Sequence, residues 1–130
     1  LVAGKGTPPA AAPGVIFAGP VKDMENAMAA ADLLVFPPIY EPSSNVVVEA
    51  LAAGLPVVTT AQNGAAEILR EGQTGTVLSS PRDVAGMARA IEFWAGKGLR
   101  VSAETAALSL ERNVAETMTV LELAARERNA

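Results

Sequence analysis

Glu41 and Glu49 are two carboxylates with seven residues between them, in the stretch Glu41-Pro42-Ser43-Ser44-Asn45-Val46-Val47-Val48-Glu49. An ionised carboxylate accepts hydrogen bonds and donates none, so a pair of them suits paired donors such as the vicinal hydroxyls of a sugar or ribose. The first follows an apolar run that reads as a strand over 33–36. The second sits about one turn into a helix expected over 45–53 that is otherwise almost entirely apolar. The start of that helix presents backbone N–H groups and the positive end of a dipole, which can receive a phosphate or a hydroxyl-bearing ligand. Ser43 and Ser44 add hydroxyls there. Two acceptors flanking a phosphate-sized gap fit a sugar nucleotide. For such a pair taken alone, a solvated helix residue and an ordinary loop carboxylate are the commoner explanation, so the surrounding elements must decide.

Those elements belong to a chain of 130 residues, 50% apolar and 18% charged, which is enough for one core of ordinary size. The net charge is −4 and the basic residues are scattered, which argues against a nucleic-acid partner or an anionic membrane surface. There is no cysteine and no histidine. Disulfides, thiolate metal sites and the commonest general base are therefore ruled out, and chemistry must use carboxylates, backbone dipoles or residues elsewhere. No Asp-x-Asp metal motif occurs, and no metal is expected. No apolar run approaches the roughly 20 residues that span a bilayer. The opening at Leu1, read as lying inside a strand, is expected to mark an excised piece of a longer protein.

Short apolar strands alternate with helices along the chain, the pattern of a parallel sheet covered on both faces. Strands are expected at 1–3, 15–17, 33–36, 57–60 and 76–78. Asp23 caps a helix through Ala31, and Ser43 or Ser44 caps the helix that Gly54 and Pro56 end. A short helix is expected over 65–70, and Pro81 opens another that runs to about Trp94. Asn63-Gly64 reads as a turn demanding positive φ, and Trp94 as a core or interdomain packing residue. Glu67, Lys22 and Arg70 read as solvated charges. Residues 101–130 keep helical periodicity at Leu108, Val114, Met118, Leu121 and Ala125 and form a helical tail of one or two helices. The loops after the strands, holding Gly4-Lys5-Gly6, 37–44 and 60–64, converge at the carboxyl edge of such a sheet, where ligands bind.

From Val15 onward the chain resembles the C-terminal, nucleotide-sugar-binding domain of retaining GT-B glycosyltransferases of family four. The matching blocks are Phe17-Ala18-Gly19-Pro20-Val21, Ala30-Ala31-Asp32-Leu33-Leu34-Val35-Phe36-Pro37, Glu41-Pro42 through Glu49-Ala50, and Ala53-Gly54-Leu55-Pro56-Val57-Val58. Gly64 to Glu67 and Gly72-Gln73-Thr74-Gly75 complete the set in family order. Around 37–54 the chain is similar to enzymes that add glucose to the heptose of the lipopolysaccharide core. The fold implied is α/β, a Rossmann-like parallel sheet with helices on both faces, forming the C-terminal half of a GT-B fold.

The resemblance implies a parent enzyme, a hexosyltransferase moving a sugar from a nucleoside diphosphate sugar, UDP-linked, to an acceptor hydroxyl, in lipopolysaccharide or cell-surface glycan synthesis. Glu49 would accept hydrogen bonds from the ribose, and Glu41, the catalytic candidate in a positioning role, would contact the transferred sugar. Backbone amides at Ser43, Ser44 and Asn45 would hold sugar and diphosphate, and the base would lie by Ala18 and Gly19 with Val21 or Lys22 alongside. No cofactor beyond the donor is implied. Ser44 departs from the glycine usual in the family, and a side chain there would crowd the approach of backbone to sugar. The resemblance also implies that 1–130 is a partial domain, lacking its first strand–helix unit with the basic pair that grips diphosphate and the N-terminal acceptor domain. The partners are then the nucleotide sugar, that domain, and an acceptor glycan or lipid-linked acceptor. The expected location is the cytoplasm, peripheral at the inner face of the membrane through the missing domain, and this chain alone should be inactive. The other classes that fit the residues are a nucleotide-sugar epimerase of GT-B fold and a non-catalytic Rossmann-like interaction domain.

Overall fold

The computed structural model describes residues 1–6, 10, 12–102 and 109–128. Its strands are β1 (Val2–Ala3), β2 (Phe17–Gly19), β3 (Leu34–Phe36), β4 (Val57–Thr60) and β5 (Gly75–Leu78). Its helices are α1 (Met24–Ala30), α2 (Asn45–Ala52), α3 (Val84–Ala95) and α4 (Leu110–Arg128), with a 3₁₀ helix at Gly64–Ile68. All pairings between these strands are parallel: β1 pairs with β2, and β3, β4 and β5 form a second sheet in that order.

Parallel pairing needs a crossover between strands, and α2 supplies it from β3 to β4 and the 3₁₀ helix from β4 to β5. β4 shows how both faces are covered. All four of its residues are buried, and consecutive side chains of a strand point to opposite faces. Val57 joins Met28, Val47, Leu51, Leu55 and Ala65 on the α1–α2 side, while Val58 joins Leu78, Ala90 and Trp94 on the α3 side. A strand packed on both faces has no need of alternating polar residues, which is why its sequence is so uniform. Trp94 is 3% exposed and its indole N–H donates to Thr76 Oγ1 at 3.1 Å, so it is a core residue, as its helical spacing suggested.

Among the described residues the two sheets do not join. Val2 N–H donates to Ile16 and Gly4 N–H to Gly19, so Ala3 turns its backbone to the opposite edge. Leu34 N–H donates across to Pro56, which leaves Val35 facing away from β4. Between these two edges lies an apolar groove of about 470 Å³, walled by Leu1 and Ala3 from one side and Leu34 and Val35 from the other.

Several boundaries differ from the sequence reading. The second strand runs over Phe17–Gly19 rather than 15–17, because the register with β1 places Val2 opposite Phe17 and leaves Ile16 67% exposed. The helix expected from Pro81 begins at Val84, because Asp83 caps it by accepting from Gly86 N–H at 2.8 Å. The short helix after Asn63 is 3₁₀ and begins at Gly64. Asn63-Gly64 is not a positive-φ turn: Asn63 has φ −100° and caps that helix through its side chain. The tail is one helix within the described residues, α4, with no buried side chain, and Leu108 lies outside them. Among the described residues no helix is long and apolar enough to cross a membrane.

Candidate functional site

The carboxyl ends of β2, β3 and β4 lead into Gly19-Pro20, into the loop 37–44 and into 61–63. What fixes the middle loop is the pair of threonines closing β4. Thr59 Oγ1 donates to the Phe36 carbonyl at 2.7 Å and Thr60 Oγ1 to that of Pro38 at 2.8 Å, both from fully buried residues. Asn63 extends the network, its amide Nδ2 donating to Thr59 Oγ1 at 3.0 Å and its Oδ1 accepting from Ala65 N–H at 3.1 Å. Buried polar atoms satisfied in this way hold one geometry, since breaking any bond strands a partner away from water.

The backbone of Glu41 is tied to the same structure: its N–H donates to Gln62 at 3.0 Å and its carbonyl accepts from Gly64 N–H at 2.8 Å. The approach is so close that a Cβ on Gly64 would lie 1.9 Å from the Pro42 carbonyl oxygen. Glycine is required at 64 by space rather than by φ. The sequence reading brings the loop 60–64 to this edge but gives Thr59, Thr60 and Asn63 no part in holding it. The signal was present as two hydroxyl residues ending a buried strand just ahead of an Asn-Gly pair.

Glu41 itself is half-buried, with its Oε1 3.4 Å from the N–H of Ser43. Ser44 is the N-cap of α2, as one of the two expected choices, yet its side chain makes no capping bond. Ser44 is 4% exposed. Ser44 as a residue is thus largely covered, while Ser43 and Asn45 on either side of it are open to solvent. The Ser44 carbonyl accepts from Val47 and Val48, and the first amides of α2 have no acceptor within the helix.

Glu49 lies roughly 6 Å along the helix axis from Asn45, four residues at about 1.5 Å each. It is exposed and lines a cleft of about 600 Å³ between α1 and α2, together with Lys22, Asp23, Glu25, Met28 and Ala53. Glu41 is not among the residues lining that cleft, so one carboxylate stands ahead of α2 and the other lines a cleft beside it. With three carboxylates and one ammonium on its rim, the cleft favours hydroxyl donors over phosphate. Asp23 caps α1, accepting from Asn26 N–H at 3.1 Å and from its Nδ2 at 2.6 Å. These bonds, the backbone one foremost, hold its carboxyl below the usual carboxylate range.

Ala18 is exposed and Gly19 half-buried at the end of β2, where Gly19 adopts φ +66° and accepts from Gly4 N–H at 2.9 Å. The Gly4-Lys5-Gly6 turn thus does meet the strand end leading toward Lys22. Glu67 is exposed on the 3₁₀ helix. Among the described residues no cluster of acidic side chains could hold a metal ion.

Comparison with known proteins gives this geometry a family. A 61-residue stretch, 47% of this chain, is 51% identical to glycogen synthase of Mycobacterium tuberculosis and covers 14% of it. Over 59 residues, 45% of the chain, it is 46% identical to the lipopolysaccharide glucosyltransferase WaaG of Escherichia coli, covering 16%. It is 40% identical over 78 residues, 60% of the chain, to the lipopolysaccharide core biosynthesis glycosyltransferase LpsE of Rhizobium meliloti, covering 23%. The chain therefore spans less than a quarter of these relatives. Crystal structures of Anabaena HepE align with a TM-score of 0.58 for the complex with UDP, at 26% identity over 80% of this chain and 32% of that one. The complex with UDP-glucose aligns at 0.55 and 25% identity, over the same shares. The parallel sheet with helices on both faces agrees with the expected C-terminal half of a GT-B fold. A sequence profile described as glycosyl transferases group 1 matches residues 1–96, and this chain belongs to that family.

Proposed function

We propose that the chain is the donor-binding part of a retaining glycosyltransferase, which moves a hexose from a UDP-linked sugar to an acceptor hydroxyl in lipopolysaccharide or cell-surface glycan synthesis. The observation that carries this reading is the succession along α2. A carboxylate sits just before the helix, unbonded amides open its first turn, and a second carboxylate faces an acidic cleft one turn further in.

Each part has a role in that chemistry. Glu49 accepts the ribose hydroxyls, which are the donors an acidic cleft prefers. The amides at Ser43, Ser44 and Asn45 take the sugar and the diphosphate, and the dipole of α2 stabilises charge growing on the leaving diphosphate. The Ser43 amide meets Glu41 only weakly, at 3.4 Å, so a ligand oxygen can displace that contact. Glu41, its backbone locked to 62 and 64, holds a hydroxyl of the transferred sugar and positions it. Main chain at Ala18 and Gly19 borders the base. No cofactor is needed beyond the donor.

The reading also treats 1–130 as a partial domain. Two parallel sheets with open edges across an apolar groove support the reading of one sheet lacking an inner strand. The groove takes a parallel strand from the remainder of the parent polypeptide, joining the sheets in the order expected of a doubly wound fold. The acceptor site lies in another domain of that parent. Calorimetric titration of the parent with UDP-, GDP- and ADP-sugars, repeated with Glu49→Ala, tests the assignment. One donor should bind and lose affinity on substitution; equal indifference to all donors would refute it.

A further inference from the structure

Neither α1 nor α2 has a basic residue in its last turn, although the final carbonyls of a helix lack intrahelical donors and carry its negative end. One guanidinium from far along the chain serves both. Arg100 Nη1 lies 3.4 Å from the Met28 carbonyl and 3.3 Å from that of Ala53, and Nη2 donates to the carbonyl of Ala29. Met28 and Ala29 close α1, and Ala53 is the C-cap of α2. The Arg100 stem passes over Gly54, whose carbonyl accepts from Val101 N–H at 2.8 Å, and Val101 packs against both halves of the core.

These two helices are the walls of the cleft that holds Glu49. Ala53 follows Glu49 by one turn and donates to its carbonyl at 2.9 Å, so the clamp acts on the turn that carries the carboxylate. A planar fork with several donors can hold two helix ends at one separation, which a single ammonium cannot do. We propose that Arg100 is a positioning residue for the donor: by joining the carboxyl ends of α1 and α2 it sets the width of the cleft and the placement of Glu49 within it. This rests on the reading of that cleft as the ribose site.

The test is donor kinetics of the full-length parent with Arg100→Ala, Arg100→Lys, Glu49→Ala and the Arg100→Ala/Glu49→Ala pair. Arg100→Ala should raise donor KM about tenfold, the effect of one charged hydrogen bond. The kcat and acceptor KM should stay near those of the native enzyme, and Arg100→Lys should lie between. Because Arg100 acts through Glu49, its removal in the Glu49→Ala background should change donor KM by less than about twofold. A general loss of structure would instead change kcat and both KM values together, and that result overturns the proposal. So does independent multiplication of the two effects, or a donor KM unmoved by Arg100→Ala and Arg100→Lys while Glu49→Ala raises it. If Glu49→Ala itself leaves donor KM unchanged, the ribose reading falls first and the clamp's role with it.

Discussion

Replacing Gly64 with alanine separates two reasons a chain keeps a glycine. Gly64 has no positive φ, so alanine meets no backbone strain there, but its Cβ would lie 1.9 Å from the Pro42 oxygen and 2.9 Å from the Pro42 carbon. Ordinary contact is about 3.5 Å, so the loop and the 3₁₀ helix would have to part by roughly 1.5 Å. That movement breaks Gly64 N–H to Glu41, now 2.8 Å, and strains Glu41 N–H to Gln62, now 3.0 Å. Overpacking plus the weakened bonds amount to about 3 kcal/mol. For a domain of this size that is a Tm lowered by roughly 10 °C. Gly72 is the control: it has φ +70° and nothing within 4 Å of its Cβ position, so alanine there adds only left-handed strain, about 1 kcal/mol. Thermal denaturation of both variants of the parent, with donor titration alongside, reads the difference. Gly64→Ala should melt well below Gly72→Ala and lose donor affinity, since Glu41 moves with the loop. If Gly72→Ala is the more damaging, or Gly64→Ala melts with the native protein, the close approach is not what holds Glu41.

In the parent, the amides of Ala3 and Val35 should exchange hydrogen as slowly as that of Leu34, because a strand in the groove would take both edges; exchange as fast as exposed loop amides would leave the groove without a strand. The first turn of α1 should loosen in acid. Asp23 has a folded pKa held below its unfolded value, about 3.9, so its contribution is complete above that value and is lost as pH falls through the folded pKa. Following the Asn26 amide signal from about pH 5 to about pH 2 checks the sign, and loosening confined to the higher end would contradict it.

Much of the architecture was legible because it depends on local pattern. The run Val57-Val58-Thr59-Thr60 could only be a buried strand, and Gly54 and Pro56 could only end the helix before it. Glu41 and Glu49 stood out as charges in apolar surroundings, and the order of motif blocks matched the family that the comparisons show. The boundaries that shifted were those set by partners. β2 moved two residues because its register is decided by β1, and α3 started late because a side-chain cap at Asp83 outcompeted the proline signal.

The sequence by itself determined the alternation of strands and helices, the apolar faces and the acidic pair, since all of these follow from residue type and spacing along one segment. Only the tertiary structure decided that Glu41 stands ahead of α2 while Glu49 lines a cleft beside it, that Ser44 is largely covered, and that Gly64 is kept for space. It alone joined Arg100 to the ends of two helices, 47 to 72 residues distant in the chain. Spacing records what neighbours in sequence can do, whereas a close approach or a shared carbonyl exists only once distant segments have met.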